Sequence, residues 1–142
     1  MTVSTVIGAS ADEAWALLRD FGRMDAWFEG MPPAVIEDGL DPAQVGCVRR
    51  IEVDGQVMAR ERLVALDDAA RRQVYAIVES VFGLSGYTGT ITVTPVTDGD
   101  RAFVEWTGVF EADAADAEAT AAMIRDSIYL PGLESLRKLL ED

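Results

Sequence analysis

No histidine occurs anywhere in the 142 residues. That removes the Ser-His and Cys-His pairs that activate most nucleophiles, and it removes imidazole as a metal ligand. Cysteine is almost as scarce. Cys47 stands alone, which excludes an internal disulfide and a cysteine zinc site, and it reads as a small apolar packer. Positive charge is in deficit: 12 Lys and Arg stand against 25 Asp and Glu, a formal net charge of −13 that repels phosphate backbones and anionic membrane surfaces. The opening Met1-Thr2-Val3-Ser4 has neither the basic residues nor the apolar run of a signal peptide. Nor does any stretch approach the roughly 18 apolar residues that span a bilayer. The expectation is a cytoplasmic chain with no membrane insertion, no nucleic-acid partner and no metal. Chemistry, if any, rests on carboxylates, arginines, tyrosines, hydroxyls and shape.

What is present suits one domain over residues 1–142. Apolar residues make up 49% of the chain, enough for a core, and no repeat, linker or composition break divides it. Residues 2–8 are rich in β-branched side chains and read as a first strand. Ser10 and Glu13 fit a capping box, opening a helix with Ala14, Leu17, Leu18 and Phe21 on one stripe and an end near Gly22. A helical turn over Met24 to Phe28 leads into Gly30-Met31-Pro32-Pro33. Period-two segments follow at 34–38, 45–53, 57–66, 72–80, 87–96 and 102–111, separated by turn residues in an antiparallel meander. Beyond 111 the period is helical. Ala117, Ala121, Ile124 and Ile128 form a stripe that Leu133, Leu136 and Leu140 continue, and Pro131 predicts a kink. One long helix cannot fill the hollow of a curved sheet, so a pocket is expected.

This order and several strings resemble the START/polyketide-cyclase superfamily, in its bacterial polyketide cyclase/dehydrase-like branch. The strings are Ala14-Trp15 with Phe21, Val45-Gly46-Cys47-Val48-Arg49-Arg50-Ile51, Glu61-Arg62-Leu63, and Leu66-Asp67-Asp68. Gly86-Tyr87, Val104-Glu105-Trp106, and Gly132-Leu133 through Leu136 complete the set. The resemblance implies an α+β helix-grip fold. In it a curved seven-stranded antiparallel sheet wraps a long C-terminal helix, with two short helices after the first strand and an internal cavity.

Binary pattern selects the inward faces. Cys47, Arg49, Ile51 and Val53 face inward in one strand, and Val57, Ala59, Glu61 and Leu63 in the next. A three-residue loop, Asp54 to Gln56, sets Val53 across from Val57 and Arg49 across from Glu61. The competing two-residue Asp54-Gly55 turn puts Arg60 on the face of Arg49 instead. By resemblance to abscisic-acid receptors, Tyr75, Ile77, Tyr87 and Glu105 also line the ligand site, and Phe28 stands where the receptors carry a lysine. For 102–110 the pattern itself prefers Val104, Trp106 and Phe110 inward. Ile124 and Ile128 contribute from the helix. Trp15, Trp27 and Trp106 read as core or rim, with Trp27 and Phe28 at the cavity mouth. The segments 29–33 and 82–86 are gates or ordinary loops.

A carboxylate in an apolar hollow can act as an acid or base, and arginine and tyrosine donors can steady an enolate oxygen. The resemblance therefore implies a cofactor-free cyclase or dehydratase, with Glu61 as base and Arg49 and Tyr87 as oxyanion donors. The alternatives are a carrier or sensor of a hydrophobic molecule, in which Arg49–Glu61 is a structural pair, and an interaction module with a shrunken cavity. A homodimer stays open.

Overall fold

A computed structural model describes all residues 1–142. The first helix starts as its capping residues require: the Ser10 side chain accepts from the Glu13 N–H at 3.1 Å, and the Glu13 carboxylate accepts from the Ser10 N–H at 2.9 Å. This helix, α1 (Ala11–Leu18), follows strand β1 (Thr2–Ile7) and buries Ala11, Ala14, Trp15 and Leu18. It ends earlier than its stripe predicts, because the sheet supplies the terminating partners. The buried Gln73 amide donates to the carbonyls of Leu18 and Arg19, which would otherwise lack donors at the helix end. A 3₁₀ turn at Met24–Ala26 follows.

The other strands are β2 (Val35–Ile36), β3 (Val48–Val53), β4 (Gln56–Asp67), β5 (Arg72–Ser80), β6 (Ser85–Val96) and β7 (Arg101–Glu111). All neighbours pair antiparallel in the order β1-β7-β6-β5-β4-β3-β2, so the first strand closes on the last. On β6 the alternation holds: Tyr87, Ile91 and Val93 are buried, while the threonines between them face outward.

The β3–β4 hairpin corrects one expectation. Its turn is the two-residue Asp54-Gly55, both at positive φ, with Val53 opposite Gln56. Arg49 nevertheless lies opposite Glu61, because Glu52 pairs with Val57 and Ile51 with Ala59, leaving Met58 as a bulge. The bulge restores the register that the turn alone would have shifted. Two more irregularities fall between β4 and β5, and bulges of this kind bend strands. Together they curl the sheet.

The concavity receives a helix from Ala117 to Glu141, composed of α2 (Ala117–Ile124), one π turn (Arg125–Tyr129) and α3 (Leu130–Glu141). A proline kink was the expectation. Instead the helix widens just ahead of Pro131: the Leu130 N–H reaches the Arg125 carbonyl, five residues back. Pro131 then falls in the first turn of α3, where its missing N–H breaks no established ladder. The π turn also rotates the inward stripe, so Ile124 and Tyr129, five apart, are both fully buried. Burying side chains such as Trp106, Tyr129 and Phe21 contributes about 1.5–3 kcal/mol each.

Candidate ligand cavity

Between sheet and helix lies a hollow of about 310 Å³, and fourteen of its twenty lining residues are hydrophobic, so water inside it is poorly held. Arg49, Ile51, Glu61, Tyr75, Tyr87, Trp106 and Ile124 are its buried wall. Gly30, Val53, Phe82 and Ser127 line it while exposed to solvent, which marks the mouth. Of the residues named from sequence, Arg49, Ile51, Ala59, Glu61, Tyr75, Ile77, Tyr87, Ile124 and Ile128 all line this hollow. A void of this size does not suit a module with a shrunken cavity.

Two of the named residues lie elsewhere. Glu105 sits on the outer face, opposite Ser4 on one side and Thr92 on the other, while its neighbours Val104 and Trp106 point inward. The two-residue period of β7 decides the matter. Phe28 is buried but packs beneath the hollow, its ring against Gly132 and 5.7 Å from the Trp27 ring. Trp27 stands edge-on to Trp106, at 6.0 Å, and likewise belongs to the core. Met24 and Met58 line the cavity without having been named for it, and Met31, Pro32 and Leu84 line it from the segments read as gates or ordinary loops. Met58 does so through its bulge, which no period-two pattern carries.

Arg49 is held at two of its three guanidinium nitrogens, and Nη2 has no protein partner. Its Nε donates to Glu61 Oε1 at 2.8 Å and its Nη1 to the Phe21 carbonyl at 3.2 Å. Its guanidinium lies 4.1 Å from the Phe21 ring centroid and 5.1 Å from that of Tyr75. Glu61 is bound less completely. Its Oε2 has no protein partner, and since no sealed side-chain nitrogen or oxygen lacks one, that oxygen is open to the hollow it lines.

A second polar group faces the hollow from β5, β6 and β7. The Trp106 indole N–H donates to the Tyr75 hydroxyl at 3.0 Å, Tyr75 and Tyr87 share a hydrogen bond at 3.1 Å, and Tyr87 shares another with Tyr129. Tyr129 stacks on Trp106, with centroids 4.2 Å apart. Burial foremost pushes the Tyr75 phenol up to about 12 and raises those of Tyr87 and Tyr129, so all three are neutral donors at ordinary pH. Room for them comes from glycine. A Cβ on Gly89 would overlap the Tyr75 ring, and one on Gly108 would stand 2.6 Å from the Tyr129 hydroxyl. Tyr129 escaped sequence reasoning because an α-helical stripe through Ile124 and Ile128 passes it by. The proline two residues later was the available signal. No group of three acidic or cysteine side chains is placed to hold a metal ion.

A bent antiparallel sheet closed over a C-terminal helix, with an apolar hollow between them, is the helix-grip arrangement of small ligand-cavity proteins. The chain belongs to the polyketide cyclase / dehydrase and lipid transport family, whose model matches residues 1–141. The family binds hydrophobic small molecules. Among solved structures the chain is similar to protein XoxI from Bacillus cereus, at 28% identity and TM-score 0.86 over 100% of this chain and 95% of that one. An uncharacterised protein from Bacillus thuringiensis is similar at 27% identity and TM-score 0.84, over 100% and 98% of the two chains. Norcoclaurine synthase from Thalictrum flavum, in complex with dopamine and hydroxybenzaldehyde, shares the fold at 17% identity and TM-score 0.76, over 99% of this chain and 85% of that one. No helix is long and apolar enough to cross a membrane.

Proposed function

We propose that the protein is a cofactor-free cyclase/dehydratase acting on a hydrophobic, aromatic or polyketide-like carbonyl compound. The observation that carries this reading is Glu61: one oxygen is held by Arg49, and the other is free and faces an apolar hollow that also presents the Tyr87 phenol. Glu61 Oε2 takes a proton from the carbon beside a carbonyl, and the enolate oxygen accepts a hydrogen bond from the neutral Tyr87. The enolate carbon then bonds to a second carbonyl carbon of the same substrate, and the new alkoxide recovers the proton from Glu61. For dehydration Glu61 takes another α-proton and returns it to the departing hydroxide, which leaves as water. Atoms balance, and the carboxylate is regenerated. Arg49 holds Glu61 through Nε and the Phe21 carbonyl through Nη1, and its unbonded Nη2 is a second oxyanion donor in this scheme. The fold's occurrence with an aryl aldehyde and a phenol, in norcoclaurine synthase, supports an aromatic substrate class.

The competing reading, a carrier that leaves its ligand unchanged, is favoured by the buried 2.8 Å ion pair of Arg49 with Glu61. Both readings suit a cytoplasmic protein with a buried free thiol at Cys47. The test is turnover of aryl β-polyketones by the wild type and Glu61→Gln, followed by chromatography. The variant should lose about 10²-fold or more in kcat while binding survives. Retained turnover removes Glu61 from the chemistry. A copurified ligand that stays unchanged on long incubation favours the carrier.

A further inference from the structure

We infer that Tyr75, Tyr87 and Tyr129 form a neutral oxygen-binding site, through which the hollow selects uncharged carbonyl or phenol ligands over carboxylates. This deepens the proposed function and rests on the same cavity. Three phenol O–H groups and the Trp106 N–H supply four protons to three hydrogen bonds, so one hydroxyl proton has no internal acceptor. Indole can only donate, so the Tyr75 oxygen always accepts from Trp106. Tyr75 and Tyr129 do not bond to each other; both bond to Tyr87. When both donate to Tyr87, its own proton is the one left over, and of the three tyrosines Tyr75 and Tyr87 line the hollow whereas Tyr129 does not. An O–H whose oxygen already accepts two hydrogen bonds is polarised into a stronger donor. Tyr129 acts through Tyr87 and is a positioning residue, brought there by the π turn.

Charge decides which oxygen suits that donor. The hollow's one cation, Arg49, is compensated by Glu61 at 2.8 Å and held by the Phe21 carbonyl and two aromatic faces, its Nη2 alone being unbonded. The pair together is neutral. A carboxylate entering the hollow would bring a net charge into apolar walls beside the Glu61 carboxylate, with no uncompensated cation to meet it. A ketone or phenol brings an acceptor and no charge. High phenol pKa values, caused foremost by burial, keep the three tyrosines protonated and able to serve it.

Three ligands of one ring system separate the contributions: naphthalene, 2-acetonaphthone and 2-naphthoate, titrated calorimetrically at pH 7. The ketone should bind about tenfold more tightly than naphthalene and at least about tenfold more tightly than the naphthoate. Tyr87→Phe should erase the ketone's advantage and leave naphthalene unchanged, which a merely structural role would not do. Tyr129→Phe, removing one of two donors to Tyr87, should erase only part of it. If the variants do not fold, the infrared carbonyl stretch of acetonaphthone bound to wild type reads the same contact, and should fall below its value in hexane. Naphthoate binding as tightly as the ketone, an advantage that survives Tyr87→Phe, or an unshifted carbonyl would each overturn the inference. Failure of naphthalene itself to bind would overturn the cavity reading as well. A wild type that shows no advantage for the ketone, alongside a kcat that still depends on Glu61, would sink only the hydroxyl site.

Discussion

Gly89 lies opposite Tyr75 across β5 and β6, and the Tyr75 phenol ring occupies the space where a Cβ on Gly89 would stand. Gly108 lies opposite Gly89 on the next strand, and its missing Cβ leaves room for the hydroxyl of Tyr129 and the edge of Tyr87. Two neighbouring glycines thus make a bare patch on an otherwise crowded concave face, and the tyrosines lie over it. Gly89→Ala should therefore destabilise the fold by about 1–3 kcal/mol, the range for overpacking a tight interior. It should also displace Tyr75 from Trp106. Urea denaturation reads the first effect and tryptophan fluorescence of the native state the second. An alanine variant with wild-type stability and emission would show that the patch is not filled as described.

Arg49 and Glu61 invite a double-mutant cycle. Arg49→Met strips a buried carboxylate of its only protein partner and should cost about 3–5 kcal/mol. The double variant Arg49→Met/Glu61→Leu removes both charges and should recover most of that loss, because each side chain pays a desolvation cost that the other offsets. Denaturant titration of the four proteins gives the coupling. Additive losses, with no recovery in the double variant, would mean the two groups act independently.

The cap of α1 supplies a contrast, since it lies away from the hollow. Ser10→Ala removes the acceptor for the Glu13 N–H and should cost roughly 1 kcal/mol. Naphthalene affinity should not change. A shift in affinity would show that α1 and the cavity are coupled beyond the Phe21 carbonyl contact to Arg49.

How much of this was legible in the sequence varied with the physics of each element. Alternation along β6 and β7, the capping box and the turn residues reported the order of elements, because each is a local signal with a local cause. For β7 alternation also outperformed resemblance: it placed Val104 and Trp106 inward and Glu105 outward, as the fold has them. The Arg49–Glu61 pairing was reached by way of a loop the protein does not use. A tight Asp54-Gly55 turn and a bulge at Met58 give the same pairing, and a bulge leaves no period to read. Tyr129 was hidden for a similar reason, a π turn having changed the helical repeat by one residue. Phe28 was misplaced because its position depends on Gly132 and Trp106, over a hundred and nearly eighty residues away in sequence. Local rules describe elements; the cavity is made by departures from them.

The three tyrosines of the chain all belong to the one buried cluster, which makes alkaline titration unusually direct. Each phenol is raised from its ordinary value of 10.0, Tyr75 to about 12, with burial the leading cause. Between those values the unfolded chain has lost phenol protons that the folded chain still holds. Stability must then fall with rising pH, since the folded state binds more protons. The stabilising contribution is whole below pH 10 and is lost as pH climbs toward and past 12 for Tyr75. Tyrosinate absorbance near 295 nm should accordingly stay low at pH 10 to 11 and then rise in one cooperative step, together with loss of near-ultraviolet circular dichroism. A gradual rise centred near pH 10 with the dichroism intact would mean that solvent reaches these hydroxyls, and the neutral oxygen site at Tyr87 would go with it.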